Sequence, residues 1–320
     1  MSDVAGNKWN ISLEWERKFW RQNLLYKFII IPEICSLCTS AITLNERETT
    51  CNPIIGRCKN KKCRKIIWLR EFSPFNINTL TPCSVLYNIL IKFICTGLNA
   101  RKINEELNQT YGHKFEEHSL YEYLIHIRRY IAHYLYDKYK LEKLGTLNEF
   151  KTFAIDETLI SHLNNTQLWI IGAIDTVNKD VRLILSFSRD EDTMKKFVDT
   201  YIENGNTIIT DAWRSYNFLD NEESEIHHIV HNHGHGDFGF GLNSTSHIEQ
   251  YWSQLKANIH QMYNIVPKTN INLFIRESEF RISIRNLTYD EKIKRLSELF
   301  EYVISTNNNE CYDDEKLNDL

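Results

Sequence analysis

Three carboxylates, Asp156, Asp211 and Glu249, stand where acids that hold divalent cations for phosphoryl transfer would have to stand. Asp156 closes the apolar run KTFAID, Asp211 closes NTIITD, and Glu249 lies early in SHIEQYWSQLKANIHQMY. Two Mg2+ or Mn2+ ions roughly 3.5 to 4 Å apart need acidic oxygens converging from separate rigid elements, the other ligands being water and substrate phosphate oxygens. In a chain with 42 acidic residues, an acid beside a predicted strand is ordinarily a solvated turn or helix-cap residue. Context sets these apart: Asp156 follows Phe153, Ala154 and Ile155, and Asp211 follows Ile208, Ile209 and Thr210. Acids so placed leave a buried strand at its carboxyl edge, where open α/β sheets bind ligands.

A second set of ligand-type residues comes earlier. Cys35 and Cys38 form one pair, Cys58 and Cys63 another, with 19 residues between the pairs. Zinc takes four thiolates tetrahedrally from two such knuckles. The first pair has the usual spacing and the second is longer by two residues, so a structural zinc ribbon is expected, with buried free thiols as the alternative. Cys51 is a spare ligand; Cys83, Cys95 and Cys311 read as ordinary apolar or surface residues. Eight cysteines in 320 residues are too few and too uneven for a disulfide scaffold, which favours a reducing compartment.

Woven through the second cysteine pair is RCKNKKCRK, in which Arg57, Lys59, Lys61, Lys62, Arg64 and Lys65 are basic. Such a cluster neutralises phosphates, or in the plainer reading is a solvated loop. The net charge of −4 conceals a split. Residues 1–150 hold 22 Lys/Arg against 15 Asp/Glu, net +7, and the rest hold 16 against 27, net −11. No run of 18 apolar residues occurs, so a soluble, intracellular protein without a membrane partner is expected.

These groups need elements to position them. Residues 1–30 read as an amphipathic helix, with Trp15, Phe19, Trp20, Leu24 and Leu25 at helical spacing, and residues 31–75 as the zinc-ribbon-like segment. Residues 76–148 read as three helices with short joints, either a helix-turn-helix-like DNA-binding region or a plain helical linker. In the first case the last helix, opening on Ser119, brings Tyr121, Tyr123, His126, Arg128 and Arg129 to bases or phosphates.

From about residue 149 the pattern turns to strands. KTFAID, QLWIIGAID and VRLILSFS are joined by short polar turns and so pair antiparallel. A helix over Glu191–Glu203, the strand NTIITD, a short helix at Ala212–Phe218, a strand at Ile226–His231 and the Glu249 helix complete the order βββαβαβα. That order predicts an α/β, ribonuclease-H-like catalytic domain with a mixed sheet over residues 149–288. Asp156 and Glu157, adjacent on a strand, face opposite ways, which leaves Glu157 a spare acid. His231, His233 and His235 belong to a His- and Gly-rich loop over the site, imidazole being a poorer partner than oxygen for Mg2+. Residues 289–320 read as one more helix and an acidic tail.

FAIDET, TIITDAWRSY and NSTSHIEQYWSQLK resemble the three signature blocks of Merlin-type DDE transposases and of the bacterial insertion-sequence transposases related to them. The resemblance covers roughly residues 150–287 and, more loosely, the cysteine-rich front. It implies that Asp156, Asp211 and Glu249 are catalytic acids that bind Mg2+ or Mn2+, that His231 accompanies them, and that a structural Zn2+ sits on the cysteines. Two departures are the wide second cysteine pair and Ser246-His247 where the family more often has Asn-Thr. The implied activity is cut-and-paste transposition: cleavage at inverted-repeat ends of double-stranded DNA, then strand transfer into target DNA by a homodimer. Lys256, seven residues beyond Glu249, would meet a phosphate, and Trp252 would brace the helix. A nuclear location follows if eukaryotic relatives are the nearer ones, otherwise cytoplasm or nucleoid. A catalytically silent, host-recruited DNA-binding protein and a stand-alone metal-dependent nuclease are the alternatives.

Overall fold

The computed structural model describes residues 9–77, 80–145, 150–163, 165–221, 225–232, 239–263 and 270–305. His233, His235, Cys311, the acidic tail and the first eight residues of the N-terminal segment lie outside them. The chain divides into two compact units, Met1–Tyr134 with Ile284–Cys311, and Leu135–Ser283 with Tyr312–Leu320.

In the first unit, α1 (Leu13–Leu25) starts where the Ser12 hydroxyl accepts from the Trp15 N–H. Its buried residues are Glu16, Trp20 and Asn23. Of the expected apolar stripe only Trp20 is fully buried, while Trp15 is 58% and Leu25 81% exposed. A small antiparallel sheet follows, β1 (Ile42–Glu46), β2 (Ile54–Cys58) and β3 (Ile66–Ile67), in that spatial order. Then come α2 (Cys83–Ile94), α3 (Ala100–Tyr111) and the part of α4 (Glu117–Leu141) up to Tyr134, with α8 (Tyr289–Ser305) from the far end of the sequence. Asn99 caps α3 through the Lys102 N–H, and Gly112 ends it in the left-handed conformation that a residue without Cβ adopts freely.

The expectation that α4 presents Arg128 to DNA is overturned. Arg128 is 2% exposed, with its guanidinium 4.9 Å over the Phe93 ring. Tyr123 is fully buried and its hydroxyl donates to the Leu86 carbonyl. The aromatic stripe of α4 therefore builds the core of the unit, and its arginine stem packs with it.

The second unit is built on a five-stranded mixed sheet: β4 (Thr152–Leu163), β5 (Thr166–Asp175), β6 (Val181–Ser186), β7 (Thr207–Asp211) and β8 (His227–His231), in spatial order β6-β5-β4-β7-β8. β4, β5 and β6 form an antiparallel meander, whereas β7 runs parallel to β4 and β8 parallel to β7. This is the ribonuclease-H-like arrangement. Strand alternation splits the core in two. Phe153, Ile155, Ile171 and Ile208 pack with Met194, Phe197 and Val198 of α5 (Glu191–Tyr201). Ala154, Ile170, Ile174 and Leu183 pack with Ile248, Tyr251, Trp252 and Leu255 of α6 (Ser246–Tyr263), joined by Ile271 and Ile275 of α7 (Ile271–Ile284).

Helix α7 has no counterpart among the elements expected from the sequence. Ile271 through Arg281 are buried even though the run holds Arg276, Glu277, Glu279 and Arg281. Two internal ion pairs, Arg276–Glu279 at 2.9 Å and Arg281–Glu277 at 2.6 Å, let those charges sit inside.

Candidate active site

Asp156 is not at the end of its strand. β4 continues for seven residues beyond it as an arm of a hairpin with β5, in which Asp156 pairs with Gly172. What ends there is the neighbour. The β4–β7 ladder sets Ala154 opposite Ile209, and carrying that register on by two residues sets Asp156 level with Asp211, the last residue of β7. The next ladder sets Asp211 opposite His231, the last residue of β8. One row across the sheet thus holds Gly172, Asp156, Asp211 and His231, and residues level in a sheet point to one face. That face is the one covered by α6.

Glu249 is exposed in the first turn of α6, where its Oε1 accepts from the Thr245 hydroxyl at 3.1 Å. One turn further on, Trp252 reaches the row itself. Its Nε1–H donates to Asp156 Oδ2 at 2.9 Å, and its ring covers Gly172, where a Cβ would lie 2.5 Å from Trp252 Cη2. Glycine at 172 is therefore required by the approach of the indole. Lys256 is exposed on the same helix.

The electrostatics of the row favour a cation. Burial, then the charge of Glu157, and to a lesser degree that of Asp211, push the Asp156 carboxyl up to about 7, against the opposing bond from Trp252. Two carboxylates drawn together in a half-buried place, with a third acid on the covering helix, are a donor set suited to Mg2+ or Mn2+, which prefer carboxylate oxygen. The three carboxylates stand wider than a single-ion cluster: among the described residues, only the four cysteines bring their ligand atoms within 4.8 Å of one another.

Glu157 points to the other face, as alternation requires, and is not idle there. Its Oε1 pairs with Arg189 Nη1 at 2.9 Å, and its Oε2 accepts from the Tyr216 hydroxyl at 2.9 Å. The Arg189 guanidinium lies 4.1 Å over the Trp169 ring and 4.6 Å over the Trp213 ring. The Trp213 N–H donates to Asp211 Oδ1 at 2.9 Å. Glu157 is therefore more than the spare acid its sequence position implies, and Arg189 is a site residue that sequence reasoning missed. The Trp-Arg-x-Tyr motif over 213–216 was the available signal, since its Trp and Tyr are what grip the Arg189–Glu157 pair.

In the first unit, Cys35, Cys38, Cys58 and Cys63 converge. The Cys35–Cys63 and Cys38–Cys58 sulfur separations are 3.8 and 3.3 Å, close to the edge of about 3.8 Å in a tetrahedron of ~2.3 Å zinc–sulfur bonds. The wide second pair fits because its turn begins late. Thr39 N–H closes on the Cys35 carbonyl, whereas Arg64 N–H closes on Asn60, two residues beyond Cys58. Thr39 and Arg64, each directly after the second cysteine of its pair, share a left-handed backbone, φ 55° and 51°. Bonds from Ser40 bring the Cys38 thiol down to about 6, while burial pushes Cys58 up to about 12. Cys51 takes no part; its thiol donates to the Leu80 carbonyl.

Around this cluster Arg57, Lys59, Lys61, Lys62 and Arg64 are exposed, and Lys65, half-buried, donates to the Ser36 hydroxyl. Arg129 is half-buried on α4.

Residues 145–283 match a family of known domains, and all three carboxylates fall inside the match. This segment matches the ISXO2-like transposase domain. The transposase domain belongs to the DDE type, whose enzymes transfer phosphoryl groups of DNA. Among solved structures, the HTLV-2 integrase catalytic core domain in complex with magnesium (trimeric form) aligns over 46% of this chain and 94% of its own, at 12% identity and a TM-score of 0.32. A simian T-cell lymphotropic virus intasome in complex with the PP2A regulatory subunit B56 gamma aligns over 44% and 51%, at 14% identity and 0.30. No curated protein matches the chain. Among the described residues no helix is long and apolar enough to cross a membrane.

Proposed function

We propose that the protein is a cut-and-paste DNA transposase whose Asp156, Asp211 and Glu249 hold Mg2+ or Mn2+ and whose substrates are the inverted-repeat ends of its own element and a target duplex. The observation that carries this reading is the level placement of Asp156 and Asp211 on adjacent parallel strands, inside a transposase domain, under the helix that bears Glu249. Two such ions, when bound, stabilise the attacking and leaving oxygens of an in-line displacement. The chain's own part is positional. Asp156 is held by the Trp252 indole and Asp211 by the Trp213 N–H. In this reading His231, level with Asp211 on the neighbouring strand, contacts the scissile phosphate, and Lys256 meets the DNA backbone.

The cationic face around the cysteine cluster, which holds Zn2+ in this reading, anchors the transposon end through phosphates by counterion release. Paired cutting of two ends calls for two copies of the chain, so the working form is a homodimer or a higher assembly containing one.

Incubating the full chain with Mn2+ and duplexes carrying its element's ends tests the proposal. Cleavage at the ends followed by joining to a target duplex is the expected result. Cleavage without joining would assign a stand-alone nuclease, and binding without cleavage a silent DNA-binding protein; either overturns transposition.

A further inference from the structure

The parallel ladder between β4 and β7 runs through Thr152–Thr207, Phe153–Ile208 and Ala154–Ile209, two residues short of the level where Asp156 and Asp211 stand. At the acids themselves, side chains bridge the two strands. Starting from Asp156, the next residue is Glu157, whose carboxylate holds Arg189. The Arg189 guanidinium lies over Trp213, and the Trp213 N–H holds Asp211. Tyr216, from the 3-10 helix Arg214–Asp220 that follows β7, closes a second link to Glu157.

We propose that Arg189 is a positioning residue that sets the separation of Asp156 and Asp211, acting through Glu157 on one side and Trp213 on the other. The inference rests on the metal-binding reading of those two acids. Three features suit Arg189 to the task. Its planar ion is stacked by two indoles, Trp169 and Trp213, which fixes its plane in a way a lysine ammonium would not be fixed. Its bond to Glu157 is charge-assisted, with the Glu157 side chain only 6% exposed. It comes from the loop before α5, which is pinned in turn by Asp190, whose carboxylate accepts from the Thr193 N–H and hydroxyl and from the Ser188 hydroxyl. Arg189 is thus a fixed post against which both acid-bearing strands lean, and Glu157 serves the site from behind without binding metal.

The test is Mn2+ binding to the zinc-loaded full chain, read by electron paramagnetic resonance of the free ion, with Asp156→Asn as the control that identifies this site. Arg189→Met should raise the half-saturating Mn2+ concentration about tenfold, the usual scale for losing a partner that orients ligands. Affinity for an element-end duplex without divalent ions should stay as in the wild type, while the melting temperature falls by several degrees because Glu157 is left buried without its cation. Tyr216→Phe, which removes one hydroxyl and keeps the buried ring, should move Mn2+ binding the same way by about two- to threefold. Wild-type Mn2+ binding in both variants overturns the proposal. So does an Arg189→Met chain that loses only thermal stability, which marks an ordinary ion pair, or only DNA affinity, which marks a DNA contact. If the wild type binds Mn2+ no better than Asp156→Asn, the metal-site reading falls and this proposal with it.

Discussion

Trp252 donates its indole N–H to Asp156 across 2.9 Å, so the helix that carries Glu249 is fastened to the strand that carries the first acid. The indole also lies close enough on Gly172 that no Cβ fits between them. Trp252→Phe keeps an aromatic ring in that place and removes the donor. Because small misplacements of reacting groups are costly, cleavage should fall on the order of tenfold to a hundredfold. The melting temperature should drop by only a few degrees. A rate equal to the wild type's, measured at saturating Mn2+, would show that the bond is incidental.

The cysteine cluster should hold one zinc per chain. Cys38→Ser removes a thiol that bonds from Ser40 bring down to about 6. Zinc released on denaturation should fall from one equivalent to near zero, and binding to element ends should weaken with it, because metal binding supplies the folding energy of such small sheets. Full zinc content in this variant would contradict a four-cysteine site.

Arg128 and the exposed lysines separate packing from DNA binding. Arg128→Ala should lower the melting temperature by several degrees, since it empties a buried place over Phe93. The salt dependence of its DNA affinity should not change. Lys61→Ala with Lys62→Ala should do the reverse, reducing the slope of log affinity against log salt by about 1 for each phosphate that is no longer neutralised. A changed slope for Arg128→Ala would restore it to the DNA-binding face.

How much of this was legible in the sequence follows from the range of each signal. The cysteine pairs and the acids declare themselves within a few residues, and the strand order follows from local alternation. The position of Asp156 was misread because an apolar run followed by polar residues looks like a strand end. β4 goes on because its further half pairs with β5 over partly solvated residues. Helix α7 was hidden because its charges are satisfied in pairs within the helix, which masks the apolar period. The Arg189–Glu157 pair spans 32 residues and two elements, and no local pattern announces it.

Stability should carry a pH signature from Glu16. It is fully buried, and its Oε1 accepts from the Trp20 indole and the Ser84 N–H. Burial outweighs those bonds and raises its pKa above 4.5. The folded state then holds the proton to higher pH than the unfolded chain. The stabilisation is complete below the unfolded value of about 4.3 and is lost as pH rises through the raised folded value. Glu16→Gln, neutral throughout, should lack that decline. Urea unfolding of both chains across this range checks it; parallel pH profiles would contradict the assignment.

In the proposed reaction Asp211, with Asp156 and Glu249, does the chemistry. Asp211→Asn keeps the oxygen that accepts from the Trp213 N–H and removes the charge. The direct test is the rate of end cleavage and joining by this variant in Mn2+, with its affinity for the same duplex measured alongside. A loss on the order of a thousandfold or more in rate, equivalent to about 4 kcal/mol or more in the barrier, is expected at unchanged DNA affinity. Cleavage at the wild-type rate, or rate and DNA affinity lost together, would contradict that role.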